Sequence, residues 1–222
     1  TGEVTEAAND SFFGNFVSQE WAPLVFFIIF LALTSIIVIS GVEKGIENVS
    51  RFLMPVLIVL AIIICIYVIM LPGSKDGIKY YLLPDFSKFS FKTVCAAMGQ
   101  MFYSMSLAMG SMITYGAYTK DEVSLVKSVN QIEIFDTAIA LLAGMMVVPA
   151  VYIFSGEAGT QASGAGLMFV TLPKVFGQMA AGRIIGVLFF ALVFFAALTS
   201  SVSVMEAIAS MIMDRLGISR LK

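Results

Sequence analysis

Residues 99–118 read GQMFYSMSLAMGSMITYGAY, and the fold turns on how that stretch is understood. It is apolar and long enough to cross a bilayer, whose hydrocarbon core takes about 20 helical residues. Yet it holds Ser104 and Ser106 two positions apart, three glycines, and the tyrosines Tyr103, Tyr115 and Tyr118. In hydrocarbon an unpaired polar group is costly, so polar residues at that depth face protein, water or a ligand. Small and hydroxyl residues have another use, as close-packing contacts between transmembrane helices. Taken alone, the stretch admits both readings.

The surrounding composition settles the class. The chain has 222 residues, 59% hydrophobic and 13% charged, with mean hydropathy +0.95. A soluble domain carries closer to about 25% charged residues to cover itself. A net charge of −2 without a basic stripe excludes nucleic acid as a partner and leaves the lipid bilayer. Cys65 and Cys95 lie in or beside apolar runs and read as reduced packing residues, neither disulfide nor metal ligands. Histidine is absent, which removes the commonest general base and metal ligand. The opening TGEVTEAANDSFFGNF is acidic, lacks the basic start and apolar core of a secretory signal, and has no initiator methionine. It reads as mid-loop, so the chain is expected to be a fragment of a longer polypeptide.

The expected architecture is one all-α transmembrane domain over residues 1–222, with spans at about 23–42, 52–71, 93–118, 125–155 and 186–213. Residues 1–22 form a polar lead-in, and PGSKDGIKYYLLPDFSKFSFK a punctuated polar connection. Pro55 is placed in the first turn of the second span, where its missing N–H does least harm. Between the last two spans, 157–183 is glycine-rich and then apolar over a length too short to cross, an outer re-entrant or interface segment. Five spans put the ends on opposite sides. With the N-terminus outside, seven of the 13 Lys and Arg fall inside, a narrow margin under the positive-inside rule.

Three features carry chemistry at membrane depth. Asp136 opens a span, where a carboxylate at the helix centre would cost about 2.5–3.5 kcal/mol on insertion scales. It serves an ion or proton, or it reaches the interface from a helix end. In the last span Thr199, Ser203, Glu206, Ser210 and Asp214 share one helical stripe, with Ser200 beside it. A single membrane serine usually bonds back to its own helix. A run of hydroxyls leading into two carboxylates marks a face turned to water, ions or a polar helix, and oxygen donors suit a hard cation. Met101, Met105, Met109 and Met112 fit adaptable lining or plain packing. Glu43, Lys44 and Glu47 read as solvated loop charge, and Asn9-Asp10-Ser11 is a glycosylation sequon by pattern.

Five segments together resemble the neurotransmitter:sodium symporter family of LeuT type: GVEKGIENVSRFLMP at 41–55, PDF at 84–86, the central 99–118, FVTLPKVF at 169–176 and FFAALTSSVSVM at 194–205. They recur in the family's order across nearly the whole chain. The resemblance implies the fourth to eighth helices of a twelve-helix inverted-repeat transporter, with the central helix broken at about Ser104 to Ala108. Half-helix dipoles and freed carbonyls then hold substrate and sodium. Propensity alone does not predict that break, since Met, Leu and Ala favour helix.

Residue by residue, the resemblance puts Ser104 at the first sodium through its hydroxyl and carbonyl. Tyr103, Ser106 and Met109 line the amino-acid pocket with Ser104, Ser200 and Val204, and Gln100 stands beside the outer gate. Ala196 (through its carbonyl), Thr199 and Ser200 match the second sodium site. Asp214, with Tyr118 and Glu206 nearby, matches the cytoplasmic gate. Ala108 replaces a frequent glycine and Met109 a frequent aromatic, which leaves the size of the amino acid open. Asp136 aligns, after a one-residue shift, with a sodium-binding asparagine of many members. Its charge is expected to stand in for external chloride, so that sodium is required and chloride is not.

The function implied is sodium-coupled symport of amino acids or related small zwitterions by alternating access, in a multi-pass cell membrane protein, the bacterial inner membrane being the expected setting. It is not an enzyme, since H-E-x-x-H and G-x-S-x-G are absent along with histidine. The alternatives are a proton-coupled transporter of the same fold, with Asp136 as carrier, and a non-transporting scaffold or receptor. The expected partners are the amino-acid substrate, the bilayer and the N-terminal and C-terminal helices of the same chain that this sequence lacks. A homodimer is left open.

Overall fold

The computed structural model describes residues 9–41, 46–120 and 122–219. Glu43, Lys44, the Val42 end of the first expected span, Arg220 and Lys222 lie outside the described residues. Among the described residues there is helix and turn and no β-strand. In chain order the helices are α1 (Asp10–Val17), α2 (Ala22–Ile39), α3 (Asn48–Ile69), α4 (Ser74–Leu82), α5 (Phe91–Ser104), α6 (Ser111–Ala117), α7 (Leu125–Gly159), α8 (Leu172–Gln178) and α9 (Gly182–Leu216). A short helical turn Gly164–Gly166 and a π-helical turn Leu167–Thr171 lead into α8. Of these, α2, α3, α7 and α9 are long and apolar enough to cross a membrane.

Local chemistry explains where elements differ from the simplest reading of the sequence. The polar lead-in contains α1, which starts at an Asn9 side chain accepting from the Ser11 N–H at 3.3 Å. α3 begins at Asn48, earlier than the apolar run, so Pro55 sits inside the helix and not in its first turn. There it removes the bond to residue 51 and crowds that carbonyl, a cause of kinking. Glu47 and Arg51 pair at 2.6 Å on the exposed surface just at this helix start, a contact that adds little stability. The connection after α3 holds α4, launched from Gly73 at φ 86. α7 runs regularly to Gly156, whose φ of 64 breaks the helical path.

The chain divides into two compact units, and α2, α3, α7 and α9 each lend one part to either. The first unit comprises residues up to 31, 55–83 and 141–196. Its core gathers Ile64, Cys65 and Val68 of α3, Met146, Ala150 and Val151 of α7, Leu172, Val175 and Phe176 of α8, and Ile185 and Phe189 of α9. Lipid tails are as apolar as these side chains, so close packing and not water exclusion holds such a core. Phe169 stacks on Phe13 with centroids 5.1 Å apart and on Phe190 at 6.0 Å, fixing the turn before α8. α4 approaches α7 closely, because Gly77 brings no side chain against Pro149.

The second unit comprises 32–54, 84–140 and residues from 197 on. Its buried interior is more polar: Thr34, Ser111 and Glu206 are all nearly or fully shielded. Thr34 Oγ1 meets Ser201 Oγ at 3.2 Å, and Ser35 Oγ approaches Met205 Sδ at 3.6 Å. One turn of α2 is thereby fixed against one turn of α9.

Candidate functional site

Between α5 and α6 the helix opens over residues 105–110. α5 ends in a Schellman cap: the Ser106 N–H bonds the Tyr103 carbonyl at 3.0 Å and the Leu107 N–H bonds the Phe102 carbonyl at 3.1 Å. Ser106 holds the left-handed position at φ 55, where glycine is usual, and Gly110 turns the chain into α6 at φ 74. Among the described residues no hydrogen bond reaches the Ser104 or Met105 carbonyl. The opened end therefore presents carbonyl oxygens at the C-terminal, negative end of α5.

Ser104 Oγ donates to Asp136 Oδ1 of α7 at 2.8 Å. A carboxylate, a hydroxyl and free carbonyls stand together there, the hard oxygen set that an alkali or alkaline-earth cation prefers. No three His, Cys, Asp or Glu among the described residues converge as a metal site.

On the other flank α6 and its C-cap residue present two tyrosines to α9. Tyr115 donates to Ser203 Oγ at 2.8 Å, and Ser203 donates to the Thr199 carbonyl at 3.1 Å. Tyr118 donates to Glu206 Oε1 at 2.8 Å and contacts Ser210 Oγ, which itself donates to Glu206 at 3.2 Å. Glu206 is fully buried, so these hydroxyls replace water around its carboxylate.

The structure thus joins Ser104 with Asp136, and Tyr118 with Glu206. Gln100 and Tyr103 lie exposed on α5, and Ser106 and Met109 lie in the opened turn. Ala196, Thr199, Ser200 and Val204 follow one another along α9, and Asp214 is exposed in its last turn. Sequence reasoning placed Ser203 and Ser210 on the polar stripe and set Tyr118 near Glu206, but it missed Tyr115 as the partner of Ser203, and it missed Thr34 and Ser201 as a pair. A threonine–serine step inside FFIIFLALTSIIVI was the available signal.

The family model for the sodium:neurotransmitter symporter family matches residues 17–222. A protein of Haemophilus influenzae described as an uncharacterized sodium-dependent transporter is 32% identical over 98% of this chain and 47% of its own length. YhdH of Bacillus subtilis, described in the same way, is 32% identical over 94% of this chain and 46% of its own. The human sodium- and chloride-dependent creatine transporter 1 is 25% identical over 82% of this chain and 30% of its own. MhsT, crystallised in complex with L-phenylalanine, superposes with a TM-score of 0.83 at 37% identity, over 99% of this chain and 50% of that one. The chain therefore spans about half the length of the curated bacterial relatives it matches. Those relatives are named as transporters, not enzymes. With a LeuT-type fold shared with MhsT and a family model matched along almost its whole length, this multi-pass membrane chain belongs to the sodium:neurotransmitter symporter family.

Proposed function

We propose that the full-length protein is a sodium-coupled amino-acid symporter of the cell membrane, working by alternating access, in a bacterial setting. The observation that carries this is the Ser104–Asp136 contact at 2.8 Å beside the opened helix end. It supports a first sodium held by Ser104 and Asp136, with the amino acid against Tyr103, Ser104, Ser106, Met109, Ser200 and Val204. A second sodium sits on Ala196, Thr199 and Ser200 of α9. Gln100 borders the outer gate, and Tyr118, Glu206 and Asp214 belong to the inner one, which the Tyr118–Glu206 bond supports. Residues 23–42, 52–71, 93–118, 125–155 and 186–213 are the proposed crossings, with 157–183 as an outer segment. The Asp136 charge makes chloride dispensable, unlike the relatives named as chloride-dependent.

The test is uptake into proteoliposomes holding the full-length protein, with L-phenylalanine as first probe because MhsT was crystallised with it. An inward sodium gradient should drive accumulation, and a pH gradient in sodium-free buffer should not. Uptake under the pH gradient alone would replace the sodium reading with proton coupling. If a panel of amino acids neither binds nor is taken up with sodium, the transport reading fails in favour of a scaffold.

A further inference from the structure

Tyr115 and Ser203 touch none of the oxygens assigned above to substrate, yet their bonds end on the Thr199 backbone. The serine hydroxyl has one hydrogen. That hydrogen goes to the Thr199 carbonyl at 3.1 Å, so the Ser203 oxygen is left to accept from Tyr115 at 2.8 Å. The two bonds run in one direction, from α6 through Ser203 to α9, and such chains strengthen each link. A serine bonding back to the carbonyl four residues earlier competes with the helix's own bond at that carbonyl and often bends a helix. The bonded turn is the one that carries Thr199 and Ser200. Tyr118, the residue that caps the end of α6, makes a second link to α9 at Glu206.

We infer that Tyr115 is a positioning residue for the cation site on α9, acting through Ser203 to hold the Thr199 turn in its binding shape and linking the α6 half-helix to sodium occupancy. The inference rests on the proposal that Thr199 and Ser200 take a sodium ion. Without the tyrosine proton donor, Ser203 keeps only its bond to the Thr199 carbonyl, and the less firmly held Thr199 turn must be ordered when the ion arrives, which weakens binding. Linkage is reciprocal, so sodium at this turn also favours the placement of α6 in which Tyr115 reaches Ser203.

The experiment is equilibrium binding of radioactive sodium to purified full-length protein. Tyr115→Phe keeps the ring and removes only the hydroxyl. Half-saturation by sodium should rise about three- to tenfold, the range that one lost net hydrogen bond supports. The number of sites should stay at the wild-type value, and the thermal denaturation midpoint without sodium should fall by no more than one lost net hydrogen bond allows. Ser203→Ala should shift the curve alike, the double variant should add little, and Ser203→Thr should restore the wild-type curve. Tyr115→Phe and Ser203→Ala curves that overlay wild type would overturn the inference while leaving the symporter proposal standing. Sodium binding absent from wild type itself would overturn both.

Discussion

Ser104 Oγ and Asp136 Oδ1 lie 2.8 Å apart although 32 residues separate them in the chain. The hydroxyl ends α5 just where the helix opens, and the carboxylate comes from the facing turn of α7. A charged acceptor makes this the stronger kind of hydrogen bond, about 1.5–3 kcal/mol net. It also leaves three of the four carboxylate lone-pair sites, by the usual count of about four, for a cation or a second donor.

Asp136→Asn is therefore expected to raise the sodium concentration for half-maximal uptake by about tenfold or more, the scale of a lost charged interaction. Wild-type uptake should be equal in chloride and gluconate buffers, because the protein carries its own negative charge beside the ion. Asp136→Asn should gain activation by chloride. Wild-type uptake that climbs with chloride would rule out this role for the carboxylate.

Ser106 occupies a left-handed backbone position at φ 55, which costs a non-glycine residue about 1–2 kcal/mol. Ser106→Gly should raise the thermal denaturation midpoint of the detergent-purified protein, whatever it does to amino-acid affinity. Ser106→Val should lower it, since a β-branched residue at positive φ is a genuine outlier. A midpoint higher for valine than for glycine would mean that the cap does not persist in the working protein.

How far the sequence spoke for itself differs from one region to another. The apolar runs announced α2, α3, α7 and α9 because length and hydropathy are additive along the chain. The opening over residues 105–110 was legible only through family resemblance, which put the break at about Ser104 to Ala108, since Met, Leu and Ala there favour helix and a serine stands in the left-handed position. α4 was hidden in a polar connection because its hold on α7 comes from the absence of a side chain at Gly77, which no hydrophobic pattern records. Helical spacing gave the polar stripe of α9, yet it could not name the residues facing it. Tyr115 and Thr34 arrive from elements distant in sequence, and only tertiary packing chooses them, whereas Tyr118 was set near Glu206 by the family resemblance.

Tyr118 and Ser210 supply hydroxyl donors to the fully buried Glu206 carboxylate. Tyr118→Phe removes one donor and keeps the ring, so the carboxylate loses about 1–3 kcal/mol of compensation. The expected result is a lower denaturation midpoint together with amino-acid affinity weakened several-fold, because α6 and α9 part more readily on that side. Glu206→Gln keeps the shape and accepts the same bonds without charge, and should lose less stability than Tyr118→Phe loses. Equal affinity in wild type and Tyr118→Phe would remove this bond from the proposed inner gate.

Two glycines that meet neighbours separate a rigid contact from a yielding one. A Cβ at Gly77 would lie 2.7 Å from Pro149 Cα and 3.1 Å from the Pro149 carbonyl oxygen, and backbone in mid-helix has nowhere to withdraw. A Cβ at Gly144 would instead strike the far end of the Tyr81 side chain, its hydroxyl and the adjoining ring edge, and that side chain's bond to the Leu141 carbonyl is long at 3.5 Å. Alanine gains about 1 kcal/mol of helix propensity over glycine at either site. At Gly77 that gain is outweighed by overpacking of about 1–3 kcal/mol, so Gly77→Ala should lower the denaturation midpoint measured in detergent. At Gly144 the tyrosine swings aside, and Gly144→Ala should be near neutral or slightly stabilising. If Gly77→Ala proved the more stable of the two, α4 could not be seated on α7 through that glycine.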